Sequence, residues 1–146
     1  DWFCDYAIEL SRGFKALKVW MAFRESGIDK IGRLIEQNIT QAKYLESLLE
    51  KEGNIEILAP TNLNIVCFRV NTPNVDEQTL NKLNEEIVLR IQEGGKFLSS
   101  YTRIDGKYAI RVCITNHRTK SEDLFDFVNE VKKVAQQLLS EKGFQL

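Results

Sequence analysis

Soft metal-ligating chemistry is scarce in this chain: one histidine, His117, and three cysteines, Cys4, Cys67 and Cys113. The cysteines are widely separated and odd in number. They offer neither the paired spacing of a zinc site nor a disulfide framework, and they read as reduced thiols of a cytoplasmic protein. A phosphate-cradling glycine loop and a Ser-His-Asp order are also missing, so no self-contained catalytic motif stands out. Positive charge is not in excess: 20 Lys and Arg face 21 Asp and Glu, for a net charge of -1. That balance argues against nucleic acid or an acidic membrane surface as partner. Apolar runs stay short, as in Val19 to Phe23, well below the roughly 20 residues of a membrane-spanning helix. Repeats, long linkers and low-complexity tracts are absent.

What remains is the composition of one globular domain. The chain has 146 residues, of which 43% are hydrophobic, enough for a real core, and 28% charged. Its start, Asp1 to Tyr6, lacks an initiator Met, a positive leader and an apolar stretch, so we expect a chain cut from something longer. Residues 1–10 show little periodicity and read as an incoming segment.

From there the pattern alternates between two periods. Ser11 is placed to cap a helix carrying Phe14, Leu17, Val19, Trp20 and Met21, which Gly27 ends. Asp29 is placed to cap a longer helix, joined to the first almost without a loop. Its stripe is Ile31, Leu34, Ile35, Ile39, Ala42, Leu45, Leu48 and Leu49. Strands are expected at Ile55 to Leu58 and at Asn64 to Val70, the second apolar on both faces for most of its length. A third helix runs from Asp76 to Glu93 and stops at Gly94-Gly95. A hairpin then joins Phe97–Arg103 to Lys107–Ile114 through Asp105-Gly106, a dipeptide suited to positive φ. A last helix, capped by Thr119 or Ser121, buries Leu124, Phe127, Val128, Val131, Ala135 and Leu138. This order predicts an α+β fold, a four-stranded mainly antiparallel sheet with helices on one face.

Such a sheet leaves its other face open, and Lys107 to Ile114 shows what lies there. Tyr108, Ile110, Val112 and Ile114 alternate with Ala109, Arg111 and Cys113, which puts a guanidinium in the middle of the open face. An arginine there must be paired or reach solvent, because burying it alone is prohibitive. Two readings stay open at this point: a salt bridge to an acid such as Glu56 or Asp5, or a planar fork that takes a carboxylate or phosphate. Arg12, near a helix N-terminus, could belong to an anion site or simply to the surface. His117 reads as a loop residue, and Lys15 and Lys18 as a solvated helix face.

Several stretches resemble one family in the same order. Phe14-Lys15-Ala16-Leu17-Lys18-Val19-Trp20 with Phe23-Arg24-Glu25-Ser26-Gly27, Leu63-Asn64-Ile65-Val66-Cys67-Phe68-Arg69 and Tyr108-Ala109-Ile110-Arg111-Val112-Cys113-Ile114 are similar to the group II pyridoxal-phosphate-dependent amino acid decarboxylases, the aromatic amino acid decarboxylase group. The resemblance implies that residues 11–146 are the C-terminal small domain of an aspartate-aminotransferase-like fold. It implies pyridoxal 5'-phosphate as cofactor, held by a large domain missing from this chain, and a homodimer as the working form. The implied reaction is decarboxylation of an L-amino acid, with the cofactor ring absorbing the electrons released with carbon dioxide.

By position, the resemblance matches Arg111 to the small-domain arginine that contacts the substrate carboxylate in glutamate-type relatives. Arg12 matches the first of an Arg-Arg pair near the active-site entrance, although Gly13 stands where the second would be. No residue of this chain matches the cofactor lysine, so the chain alone is expected to be inactive. Two other readings stand beside this one: a freestanding α+β module that binds a small amino acid on its open face, and the small domain of another cofactor enzyme such as an aminotransferase.

Overall fold

Helix, helix, strand, strand, helix, strand, strand, helix is the order found in the computed structural model, which describes residues 2–6 and 13–141. After a short 3-10 turn at Phe3–Tyr6 come α1 (Lys15–Ser26), α2 (Ile28–Leu49), β1 (Ile55–Ile57), β2 (Ile65–Val70), α3 (Glu77–Glu93), β3 (Ser100–Ile104), β4 (Lys107–Cys113) and α4 (Ser121–Glu141). The expected Ser11 cap, and the segment boundary after residue 10, lie outside the described residues. The chain forms two compact units, residues 1–34 and residues 35–146, divided within α2.

In the first unit, α1 ends where glycine is required. Gly27 has φ +73° and ψ 157°, a region closed to residues with a Cβ, and its N–H donates to the Phe23 carbonyl at 2.9 Å. Gly27 is the entire link to α2. Asp29 therefore falls inside the first turn of α2, not before it, where its charge still favours the positive end of the helix dipole. No residue of α1 is buried: the apolar side chains spaced for a helix face are all outside a core, Trp20 at 60% exposure and Phe14, just before α1, at 72%.

The second unit holds the core. Its sheet has strand order β1-β2-β4-β3, antiparallel throughout. Val66, Phe68 and Val70 of β2 and Tyr108 and Ile110 of β4 turn inward to meet Ala42, Leu45 and Leu49 of α2, Leu83, Ile87 and Ile91 of α3, and the α4 stripe from Leu124 to Leu139. Burial of this apolar area is the main stabilising term. Phe127 packs edge-to-face on Phe68 and on Phe97, with ring centroids 6.3 and 5.5 Å apart.

Polar pins fix the register of helix on sheet. Asn84, fully buried on α3, accepts the Val70 N–H at 2.7 Å and donates to the carbonyls of Val70 and Leu80, both at 2.9 Å. Every hydrogen-bonding atom it buries on β2 is thus satisfied. Asp76 caps α3, accepting from the Thr79 N–H at 3.0 Å and its hydroxyl at 2.7 Å. The β3–β4 turn has φ +50° at Asp105 and +80° at Gly106, as a two-residue hairpin demands.

Strand alternation now fixes what the other face carries. By register, Cys67 stands opposite Arg111, Ile65 opposite Cys113, and Ser100 opposite Arg111 from the other side. β3 starts at Ser100, three residues later than the periodicity predicts, so Phe97 to Ser99 form a loop along the edge of this face. Phe97 packs back on the core from that loop.

Candidate functional site

Arg111 occupies the centre of the open face, half-buried between β2 and β3. Its Nη1 donates to Ser100 Oγ at 3.3 Å, and that hydroxyl donates to the Arg111 carbonyl at 3.2 Å. Neither contact neutralises the guanidinium. Glu56, the acid that the sequence offered as a partner, is engaged elsewhere: Oε2 accepts from Arg69 Nε and Oε1 from Lys107 Nζ, both at 2.7 Å. Lys107 first, and Arg69 with it, hold the Glu56 carboxyl below the ordinary carboxylate range against the opposing effect of burial. Arg69 also binds Glu77 of α3. Among the described residues Arg111 has no acidic partner within ion-pair distance.

Around Arg111 the surface is hollowed to about 450 Å³ by Gln92, Leu98, Ser99, Ser100, Cys113 and Thr115. Gln92 Nε2 donates to the Ser99 carbonyl at 2.6 Å and ties the loop down. The Ser99 side chain is buried, 3% exposed, and its hydroxyl has no hydrogen-bond partner. Cys67, across from Arg111, has its thiol pushed up by burial, with the Arg111 charge pulling the other way. A lone guanidinium flanked by hydroxyls is chemistry for holding an anion and has no proton-transfer group of its own.

The other expected residues are scattered. Arg12 lies outside the described residues. His117 is exposed in the loop after β4, and Lys15 and Lys18 are exposed on α1. Arg69, the best-paired arginine of the sheet, was hidden in a strand that reads as apolar on both faces. Its position, two residues beyond Cys67 and so on the Arg111 face, was the available signal.

A Schiff-base cofactor needs a lysine amine in a cavity beside an anion cradle. No lysine lines the hollow at Arg111, the adjoining one at Phe97 and Phe127, or a third at Asn38 and Asn64. Lys96, Lys107, Lys132 and Lys133 are each committed to an acid. In these three hollows the described residues do not fit a pyridoxal cofactor by themselves. They also contain no cluster of His, Cys, Asp and Glu able to hold a metal ion, and no helix long and apolar enough to cross a membrane.

Residues 2–71 match the model of the pyridoxal-dependent decarboxylase conserved domain. An aromatic-L-amino-acid decarboxylase of Bacillus atrophaeus is 33% identical over 137 residues, covering 93% of this chain and 28% of its own. A phenylacetaldehyde synthase of a Rosa hybrid cultivar is 30% identical over 143 residues, again 93% of this chain and 28% of its own. The chain thus spans under a third of the length of the curated relatives it matches. The crystal structure of Oryza sativa TDC with PLP and tryptamine superposes with a TM-score of 0.81 over 93% of this chain and 29% of that one, at 24% identity, which shows the shared fold.

Proposed function

From a chain that belongs to the pyridoxal-dependent decarboxylase family, we propose that this is the small domain of a carboxy-lyase that converts an aromatic L-amino acid to its amine and carbon dioxide. The observation that carries the reading is the 33% identity to an aromatic-L-amino-acid decarboxylase along nearly the whole chain. The cofactor, pyridoxal 5'-phosphate, supplies the electron sink for the bond to the departing carboxylate. Its lysine and phosphate cradle belong to the large domain of the complete protein.

This chain contributes position. Arg111, with no acidic partner among the described residues and flanked by Ser100, orients the substrate carboxylate; Arg12 adds positive charge at the entrance. The fork of Arg111 accepts a planar carboxylate in one orientation, and orientation is what selects the bond to be broken. The exposed row from Phe14 to Ile28 is covered by the large domain, and the working protein is a cytoplasmic homodimer. Support for the cover is the row itself: Phe14, Val19, Trp20, Met21 and Phe23 are large apolar side chains exposed on or beside one helix.

The test is a product assay on the complete reading frame that contains this chain, loaded with pyridoxal 5'-phosphate and given L-tryptophan, L-tyrosine or L-phenylalanine. Amine and carbon dioxide in equal amounts support the reading. A keto acid product would make it an aminotransferase, and ligand binding without turnover would favour an amino-acid-binding module.

A further inference from the structure

The helix-covered side of the sheet carries a hollow that the proposed function does not use. It measures about 200 Å³ and is walled by Phe97, Val112, Ile114, Leu124 and Phe127. Ile114, Leu124 and Phe127 also belong to the core, so packing fixes the shape of the floor. Arg111 does not line it. Phe97 and Phe127 stand edge to face, with ring centroids 5.5 Å apart. Apolar cavities of about 150 Å³ hold benzene, so one aryl ring fits here with room for a short side chain.

The mouth of the hollow sets the sign of the ligand. Asp123, in the first turn of α4, is the one carboxylate that lines it, and among the described residues no lysine, arginine or histidine does. Asp123 Oδ2 accepts the Lys120 N–H at 2.8 Å. No cation of the described residues lies within ion-pair distance of Asp123. A carboxylate with one such bond keeps lone pairs for a further donor. The positive end of α4 does not reverse this. It amounts to about half a charge, against the full charges of Glu122 and Asp123 in the same turn. Lys96, next to Phe97, shows what this rim favours: its ammonium stands 5.1 Å over the Phe97 ring and binds Asp126 at 2.9 Å. Asp123 and the rings of the hollow repeat that pairing of carboxylate and aromatic surface.

We infer that this hollow binds a small arylalkyl ammonium, with the ring against Phe97 and Phe127 and the ammonium on Asp123. Burial of the ring supplies most of the affinity. Asp123 is exposed, so its ion pair adds only a few-fold and chiefly selects a cation over an anion. The binding does not depend on the proposed function. On that reading, however, such an amine is the class of the product, and the hollow would sense product at a place other than Arg111.

Methyl NMR of the complete protein that contains this chain, labelled at isoleucine, tests this. Borohydride reduction beforehand keeps an amine from adding to any bound pyridoxal 5'-phosphate. Ile114 lines the hollow, whereas Ile110 is fully buried and does not, so it serves as the reference. The probe is 2-phenylethylamine, with 3-phenylpropionate and ethylamine as comparators. The expected result is a saturable shift at Ile114, not at Ile110, with a dissociation constant of about 1–10 mM, the range for a ligand of this size. Ethylamine, which lacks the ring, should bind at least about ten-fold more weakly. The acid, with the same ring and the opposite charge, should also bind about ten-fold more weakly. Asp123→Asn keeps an oxygen for the Lys120 N–H and removes the charge. It should weaken the amine about three- to five-fold and narrow the gap between amine and acid. An unmoved Ile114, equal binding of amine and acid, or a shift indifferent to Asp123→Asn would overturn the inference. None of these outcomes touches the decarboxylase reading, which the product assay decides.

Discussion

Arg69 and Arg111 stand on the same face of one sheet, on adjacent strands, and the protein treats them in opposite ways. Arg69 is 4% exposed and held by Glu56 and Glu77. Arg111 is half-buried, leans on one serine hydroxyl, and opens into a hollow. A buried arginine with two carboxylates is at rest, because each partner satisfies the other's charge. A half-buried arginine with none keeps its attraction for whatever anion arrives. The difference teaches that the identity of a charged residue in a strand decides little; the acids brought to it by other elements decide its role.

The sharpest way to break the comparison is to remove the resting partner. Arg69→Ala leaves Glu56 and Glu77 facing each other with only Lys107 nearby. Breaking such a pair should cost about 3 kcal/mol of folding stability, read as a lowered denaturation midpoint at constant slope. Arg111→Ala should do the reverse. Its stability cost should stay within about 0.5 kcal/mol. In the complete enzyme it should lower kcat/KM by about 100-fold, the loss of one charge-assisted carboxylate contact. Unchanged kinetics with lost stability would make Arg111 a second Arg69.

The contrast also marks how far the sequence could be read. The α3 helix, the Asp105-Gly106 turn, the β4 alternation and the α4 stripe were legible because each follows from a local period or a turn that few residues can make. The position of Arg111 on the open face came from the same alternation. Its freedom did not: Glu56 lies on β1 and Glu77 on α3, and which arginine they choose depends on strand order, not on spacing. Likewise the stripe of α1 has the period of a buried face, yet burial needs a partner surface, and period carries no information about one. The hollow at Arg111 was illegible for the same reason. It is made by a loop, Phe97 to Ser99, that the pattern reads as strand.

Acid should sharpen the comparison from the resting side. The Glu56 carboxyl is held below its ordinary value by Lys107 and Arg69. A carboxyl depressed in the folded state stabilises fully above the unfolded value of about 4.3 and loses that contribution as pH falls through the folded value. Glu56→Gln should therefore cost about 1 kcal/mol at neutral pH and flatten the decline of stability below about pH 4. An equally steep decline in the variant would assign the acid sensitivity to other carboxylates.

The smallest effect probes Arg111 through its neighbour across the strands. Burial pushes the Cys67 thiol up, and the Arg111 charge opposes that push. Arg111→Ala removes the opposition, so the Cys67 thiolate becomes scarcer at a given pH. Alkylation by iodoacetamide near pH 8 should slow at Cys67 by about two-fold, because the thiolate is the reacting form. Cys113, exposed at the end of β4, is the faster-labelled reference on the same face. Peptide mass spectrometry resolves the two sites. Faster labelling of Cys67 in the variant would mean that the arginine side chain shields the thiol more than its charge activates it, and the guanidinium would then be lying across the sheet instead of pointing into the hollow.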